Sequence, residues 1–160
     1  MMRLLAVASL ALALTACDKP EDPAPVDIEQ MNKDALGPPV QITLDPINFA
    51  LIEKFDLFGA GCSFRPEGWT DLAIIANDQE ATIIIGGEAV QAAADAGSRE
   101  LPYGARAEYD GLSQAFELNL DEGEQLTEDY EVSTYSGTLI VRDDQDRVVY
   151  EQTGTYECGA

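Results

Sequence analysis

Histidine is absent from this 160-residue chain, and its absence removes several kinds of catalytic chemistry. A serine or cysteine nucleophile is normally activated by a histidine base, and zinc sites usually include histidine ligands. No GxGxxG or P-loop motif precedes a predicted helix. Carboxylate pairs can hydrolyse glycosides, but such pairs carry no information in a chain with 30 Asp and Glu residues. The sequence therefore predicts a protein that is not an enzyme.

Positive charge is also scarce, with nine Lys and Arg residues and a formal net charge of -21. Nucleic-acid binding needs clustered cations, so we expect no nucleic-acid partner. A cationic protein partner, or no charged partner, fits better, and an acidic surface also keeps a domain soluble and monomeric. The acidic stretches 121–131 and 143–146 lack the ligand spacing of known calcium loops. We therefore expect a monomer without a metal site.

The long apolar run of this chain lies at its beginning, where Met1-Met2-Arg3 precedes an apolar segment from Leu4 to Leu14. Such a run is too short to cross a bilayer and is typical of a signal peptide. It leads into Leu14-Thr15-Ala16-Cys17, which resembles the lipobox of bacterial lipoproteins, including many small envelope lipoproteins of Gram-negative bacteria. The resemblance covers residues 1–17 and implies cleavage between Ala16 and Cys17. It also implies diacylglycerol on the Cys17 thiol and an acyl chain on the new amine, and we expect no other cofactor.

Several acyl chains, at about 0.8 kcal/mol per buried CH₂, would make the attachment permanent. In lipoproteins of this kind, an Asp after the lipidated cysteine favours the inner membrane, so Asp18 favours that location, with the outer membrane as the alternative. Residues 17–39, rich in proline and acidic residues, are predicted to be a disordered tether with room for one weak helical turn between Ile28 and Leu36.

Residues 40–160 are predicted to form one β domain. Val40, Ile42 and Leu44 alternate with polar residues and predict a first strand, and Asp45-Pro46 predicts the start of a helix over 46–55. Alternation and turn signals predict further strands, at 62–64, 72–76, 81–85, 88–92, 105–109, 116–120, 132–142 and 147–157, with an acidic loop at 121–131. The predicted fold is mainly β, a small antiparallel β-barrel or sandwich of about eight strands with one short N-terminal helix, after a signal peptide and disordered linker.

With Cys17 taken by lipid, Cys62 and Cys158 remain as a pair in an oxidising compartment. A redox-active or metal-binding pair would normally have CxxC spacing or a histidine partner, so we predict a structural disulfide. The aromatic residues Phe64, Trp69, Tyr103 and Tyr109 are expected to fill the core rather than line a pocket.

These features favour a lipid-anchored, periplasm-facing envelope lipoprotein with a non-enzymatic binding or accessory role. One alternative is an inhibitor of a cationic cell-wall hydrolase, because the charge and expected architecture resemble those of the membrane-bound inhibitors of c-type lysozyme. The Ser/Gly-rich inhibitory loop of that family is not matched. Tyr135-Ser136-Gly137 is a poor substitute for it, and no inhibitory residue is carried over. The other alternative is a small hydrophobic-ligand carrier, which would need an apolar cavity in the barrel.

Overall fold

The computed structural model describes residues 27–128 and 132–160, with the side chains of all of these except 33, 34 and 122–128. The predicted signal peptide 1–16, the cleavage pair Ala16 and Cys17, and Asp18 lie outside the described residues. The chain divides into two units, Met1–Gly37 and Pro38–Ala160. In the first, helix α1 spans Ile28–Leu36, where we expected no more than a weak turn within a disordered tether. Its first turn is stabilised by Asp27, whose side chain accepts a hydrogen bond from the Gln30 backbone N–H at 3.0 Å.

The second unit is a closed barrel of eight antiparallel strands, in which each strand pairs with the next along the chain and the last pairs with the first. This architecture confirms the mainly β prediction and selects the barrel over the sandwich. The strands are β1 Gly61–Pro66, β2 Ile74–Ala76, β3 Glu80–Ile85, β4 Glu88–Ala94, β5 Glu108–Asp110, β6 Gln114–Glu128, β7 Val132–Asp143 and β8 Val148–Gly159.

Large side chains fill the interior of the barrel. The largest buried ones are Tyr109, Tyr156, Phe64 and Phe116. The rings of Phe64 and Tyr156 lie 4.6 Å apart, centroid to centroid. Gly154 and Gly137 face each other across β8 and β7, and a Cβ at Gly154 would come within 2.8 Å of the Phe64 ring. The two glycines therefore make room for rings that would otherwise collide with the sheet.

The segment predicted as the first strand, Val40–Leu44, is not a strand. β8 has an open edge before Gly154, where its pairing with β1 ends, but the segment does not pair with that edge continuously. The segment instead forms isolated hydrogen bonds, from Ile42 N to Val149 O at 3.0 Å and from Asp45 N to Ile84 O at 2.8 Å. Of the three alternating apolar residues, Leu44 is only 2% exposed and packs in the core, whereas Val40, at 79% exposed, does not.

Helix α2 spans Phe49–Phe55 and begins later than predicted. Its N-cap is Asn48, whose Oδ1 accepts from Leu51 N at 3.2 Å. The predicted cap, Asp45, has another role, because its carboxylate accepts from Gly87 N at 2.7 Å. Tertiary contact has thus overridden the local capping signal.

Two predicted boundaries around β5 and β6 were also wrong. The strand predicted at 105–109 is reduced to Glu108–Asp110, because Ala105 and Ala107 are buried in a loop that follows a 3₁₀ turn at Pro102–Gly104. The predicted acidic loop begins as a strand, since β6 continues to Glu128 through irregular pairing with β7. Residues 129–131 of that loop lie outside the described residues.

Candidate functional site

Cys62 and Cys158 form the disulfide that the sequence predicts. They lie directly opposite each other in the register of β1 and β8, with an S–S distance of 2.03 Å and a Cα–Cα distance of 4.0 Å. Both are buried. The bond therefore fastens the first strand of the barrel to the last.

The four aromatic residues expected in the core divide into two pairs. Phe64 and Tyr109 are fully buried, whereas Trp69 is half-buried and Tyr103 is exposed. The Tyr109 hydroxyl donates to Asn77 O and accepts from Arg106 N, both at 2.7 Å. Burial raises the pKa of Tyr109 above its usual value. This hydroxyl has the contacts of a structural group and is not placed to react with a ligand.

Arginine side chains of the barrel are engaged by carboxylates. Arg65 binds Glu157 through two hydrogen bonds of 2.9 and 3.3 Å. The other ion pairs are Arg106–Glu100 at 3.5 Å, Arg142–Glu117 at 3.2 Å and Arg147–Asp143 at 2.7 Å. Since the carboxylates greatly outnumber the cations, the rest of the surface stays strongly negative.

Among the side chains that the structure describes, which exclude those of 33, 34 and 122–131, no three His, Cys, Asp or Glu residues are grouped so as to hold a metal ion. Neither α1 nor α2 is long and apolar enough to span a bilayer.

An apolar groove of about 330 Å³ lies on the barrel surface, between the residues that follow α2 and the strands β1 and β2. Its apolar walls are formed by Ile52, Leu57, Phe58, Leu72, Ile75 and Val132. Phe58 is 58% exposed, and its ring contacts that of Phe49, which is 64% exposed. Exposed apolar side chains that touch form a patch, and large contiguous patches of this kind often mark interaction surfaces.

A second and larger groove, which we call the polar groove, crosses the outer face of β7 and β8 and has a volume of about 880 Å³. One side is formed by Glu67, Gly68 and Trp69 and the other by Asn119 and Asp121. Between them lie Arg65, Thr155, Ser136, Thr153 and Thr138. The volume lies within the range of about 300–1,000 Å³ that is typical of small-molecule sites.

The polar groove was not among the sites that the sequence patterns predicted. The signal that was available is the alternation of Ser136 and Thr138 on β7, and of Thr153 and Thr155 on β8, with a glycine between each pair. Alternation places each pair on one face of its strand. What the sequence does not contain is the register that places the two pairs side by side.

Comparison of the chain with protein-family models, curated proteins and solved structures gives no match. The features that indicate a function are therefore the N-terminal motif, the surface charge and the chemistry of the two grooves.

Proposed function

We propose that this protein is a lipid-anchored, periplasm-facing envelope lipoprotein whose barrel has a non-enzymatic binding or accessory role. The observation that carries the proposal is Leu14-Thr15-Ala16-Cys17 directly after an apolar segment of signal-peptide length. The disulfide supports it, because such bonds persist in oxidising compartments such as the periplasm.

The filling of the barrel supports binding at the surface. Phe64, Tyr109, Phe116 and Tyr156 occupy the interior, whereas the apolar groove and the polar groove both lie on the outside of the strands. A carrier that encloses its ligand within the barrel would need that interior space. A binding module that uses a surface groove does not.

Lipidation is tested by feeding cells an alkyne-tagged palmitate and measuring the label on the protein. The wild-type protein should be labelled and should sediment with membranes, whereas Cys17→Ser should be unlabelled. Thr15→Ser, which keeps a small residue before the cleavage site, is the matched control and should be labelled. An unlabelled wild-type protein would overturn the proposal.

The membrane that holds the anchor is tested by separating inner and outer membranes on a density gradient. We expect the wild-type protein in the inner membrane because of Asp18, and Asp18→Ser should move it toward the outer membrane. An identical distribution of the two proteins would show that Asp18 does not set the location.

A second candidate function, inhibition of a cationic cell-wall hydrolase, is favoured by the net charge of -21. Association driven by this charge should be strong at about 0.01 M salt and weak at about 1 M, since the screening length falls from about 30 Å to about 3 Å. The measurement is lysis by a basic c-type lysozyme with and without the protein. No protection at low ionic strength would remove this candidate.

A further inference from the structure

The floor of the polar groove is formed by residues that lie side by side on β1, β8, β7 and β6. Arg65, Thr155 and Ser136 form one row across three strands. Thr153, Thr138 and Asn119 form a second row, two residues further along. Gly154 and Gly137 lie between the rows, and a Cβ at either would point inward, toward the Phe64 or the Tyr156 ring. The result is two parallel lines of polar groups.

The hydroxyl groups of these rows are free to bind a ligand. Those of Ser136, Thr138, Thr153 and Thr155 have no hydrogen-bonding partner in the part of the chain whose side chains the structure describes. They alternate with inward-facing residues, so they project from the outer face. Each hydroxyl can donate one hydrogen bond and accept two, and this is the pattern that the hydroxyls of a sugar ring require.

Trp69 adds an aromatic surface at the edge of the same groove. It is half-buried, because part of the side chain packs against the core while the rest lines the groove. A fixed indole of this kind offers contact area at little entropic cost. Pyranose rings present C–H groups on one face and hydroxyls around the rim, which matches an indole beside rows of hydroxyls.

The charges of the groove favour a neutral ligand. Glu67 and Asp121 lie on opposite sides of it. Arg65 is paired with Glu157 through Nη1 and Nη2, and its Nε is buried without a partner among the described residues. An anionic ligand would therefore meet carboxylates and no uncommitted cation in the described lining of the groove. Carboxylates are, however, good acceptors for the hydroxyls of a neutral sugar.

We propose that the polar groove binds a neutral oligosaccharide through Trp69 and the Ser and Thr hydroxyls of β7 and β8. This inference rests on the binding role proposed above and names the ligand class for it.

The single tryptophan of the chain makes the binding directly measurable, because Trp69 is the source of all tryptophan fluorescence. The lipidated protein, in a detergent without a sugar headgroup, is titrated with triacetylchitotriose, cellotriose and maltotriose. We expect a saturable change in Trp69 emission with at least one of them, with a Kd of about 1 mM or tighter. A hyaluronan tetrasaccharide, which is anionic, should bind at least about tenfold more weakly. This corresponds to a loss of about 1.4 kcal/mol of binding free energy.

Matched variants separate the groove from the rest of the barrel. Thr138→Val with Thr153→Val removes two hydroxyls at constant shape and should weaken binding about tenfold or more. Thr134→Val, on the same face of β7 but outside the groove, should bind within about twofold of wild type. Binding by the Trp69 variants is measured by calorimetry, because they lack the tryptophan signal. Trp69→Ala should lose affinity, and Trp69→Phe should retain most of what the alanine variant loses. A thermal melt of each variant checks that it is folded.

The proposal is overturned if none of the three neutral sugars gives a saturable change, or if Thr134→Val weakens binding as much as the double variant. Binding of hyaluronan as tight as that of the neutral sugars would also overturn it. Cys17 labelling is measured independently, so a negative titration with a labelled Cys17 would remove the oligosaccharide and leave the lipoprotein proposal standing.

Discussion

The two ends of the barrel are closed by different interactions. At one end, which we call the disulfide end, Cys62 is bonded to Cys158 and the Tyr109 hydroxyl links Asn77 to Arg106. At the other, which we call the plug end, the segment 40–47 reaches from Val149 on β8 to Ile84 on β3 and buries Leu44.

The two ends of this small closed barrel are thus stabilised by different kinds of interaction. The disulfide end depends on a covalent bond and on a buried hydroxyl with two backbone partners, whereas the plug end depends on apolar burial. The two should therefore respond differently to reduction, to truncation of a side chain and to pH.

The largest effect is expected at the disulfide end. Replacing both Cys62 and Cys158 with Ser should lower the free energy of unfolding by about 4–5 kcal/mol, because the bond closes a long loop with a sequence separation of 96 residues. Urea unfolding of the double variant and of wild type measures the difference. Reduced wild type should match the double variant. Equal stability of all three would show that strand pairing alone holds this end.

At the plug end, Leu44→Ala should cost about 2–5 kcal/mol, because it removes apolar contacts and leaves a cavity. Val40→Ala is the matched control, since Val40 is 79% exposed and should change stability by less than about 0.5 kcal/mol. If the two variants unfolded at the same urea concentration, the plug would contribute nothing to the closure of the barrel.

Tyr109→Phe tests the polar part of the disulfide end and should cost about 1–3 kcal/mol, because it leaves Asn77 O and Arg106 N without their shared partner. Tyr135→Phe is the control, since the Tyr135 hydroxyl has no hydrogen bond within the described part of the chain. Thermal unfolding measures both. If Tyr135→Phe lowered the stability as much as Tyr109→Phe, the effect would come from the loss of a tyrosine hydroxyl in general. It would then not come from the hydrogen bonds of Tyr109 to Asn77 and Arg106.

The smallest effect concerns Asp143, in the turn from β7 to β8 at the plug end. Hydrogen bonds from the Arg147 side chain, with backbone N–H groups of Arg147 and Gln145, hold the pKa of Asp143 below its usual value. A lowered folded-state pKa means that the charged carboxylate stabilises the fold above the unfolded pKa of about 4, and that this stability is lost as the pH falls through the folded pKa.

Asp143→Asn should therefore destabilise the protein slightly at pH 7, and the difference from wild type should shrink in acid. Asp144→Asn, at an exposed neighbouring carboxylate, is the control. Unfolding by urea at a series of pH values measures the trend, and a difference that grows in acid would contradict it.

Local sequence patterns predict part of this architecture. Apolar alternation and turn residues placed β3, β4, β7 and β8 within a few residues of their observed bounds, because side-chain period and turn chemistry act over short distances. The Cys62–Cys158 pair followed from elimination, once Cys17 was assigned to lipid. That assignment stays a prediction, since Cys17 lies outside the described residues.

What local patterns could not decide depends on contacts between distant segments. The same alternation describes an inner strand and the segment Val40–Leu44, which makes only an isolated backbone hydrogen bond from Ile42 to Val149 of β8. Likewise, β6 continues through an acidic stretch because β7 lies beside it.

The polar groove arises in the same way. Thr155 and Ser136 become neighbours, as do Thr153 and Thr138, through the register of β8 against β7. The sequence by itself therefore determined the class of fold and the pairing of two thiols, because these depend on composition and short spacing, and it predicts the lipid anchor. Only the tertiary structure decided the closure of the barrel, the plug and the groove, because cross-strand register is set by packing of the whole core.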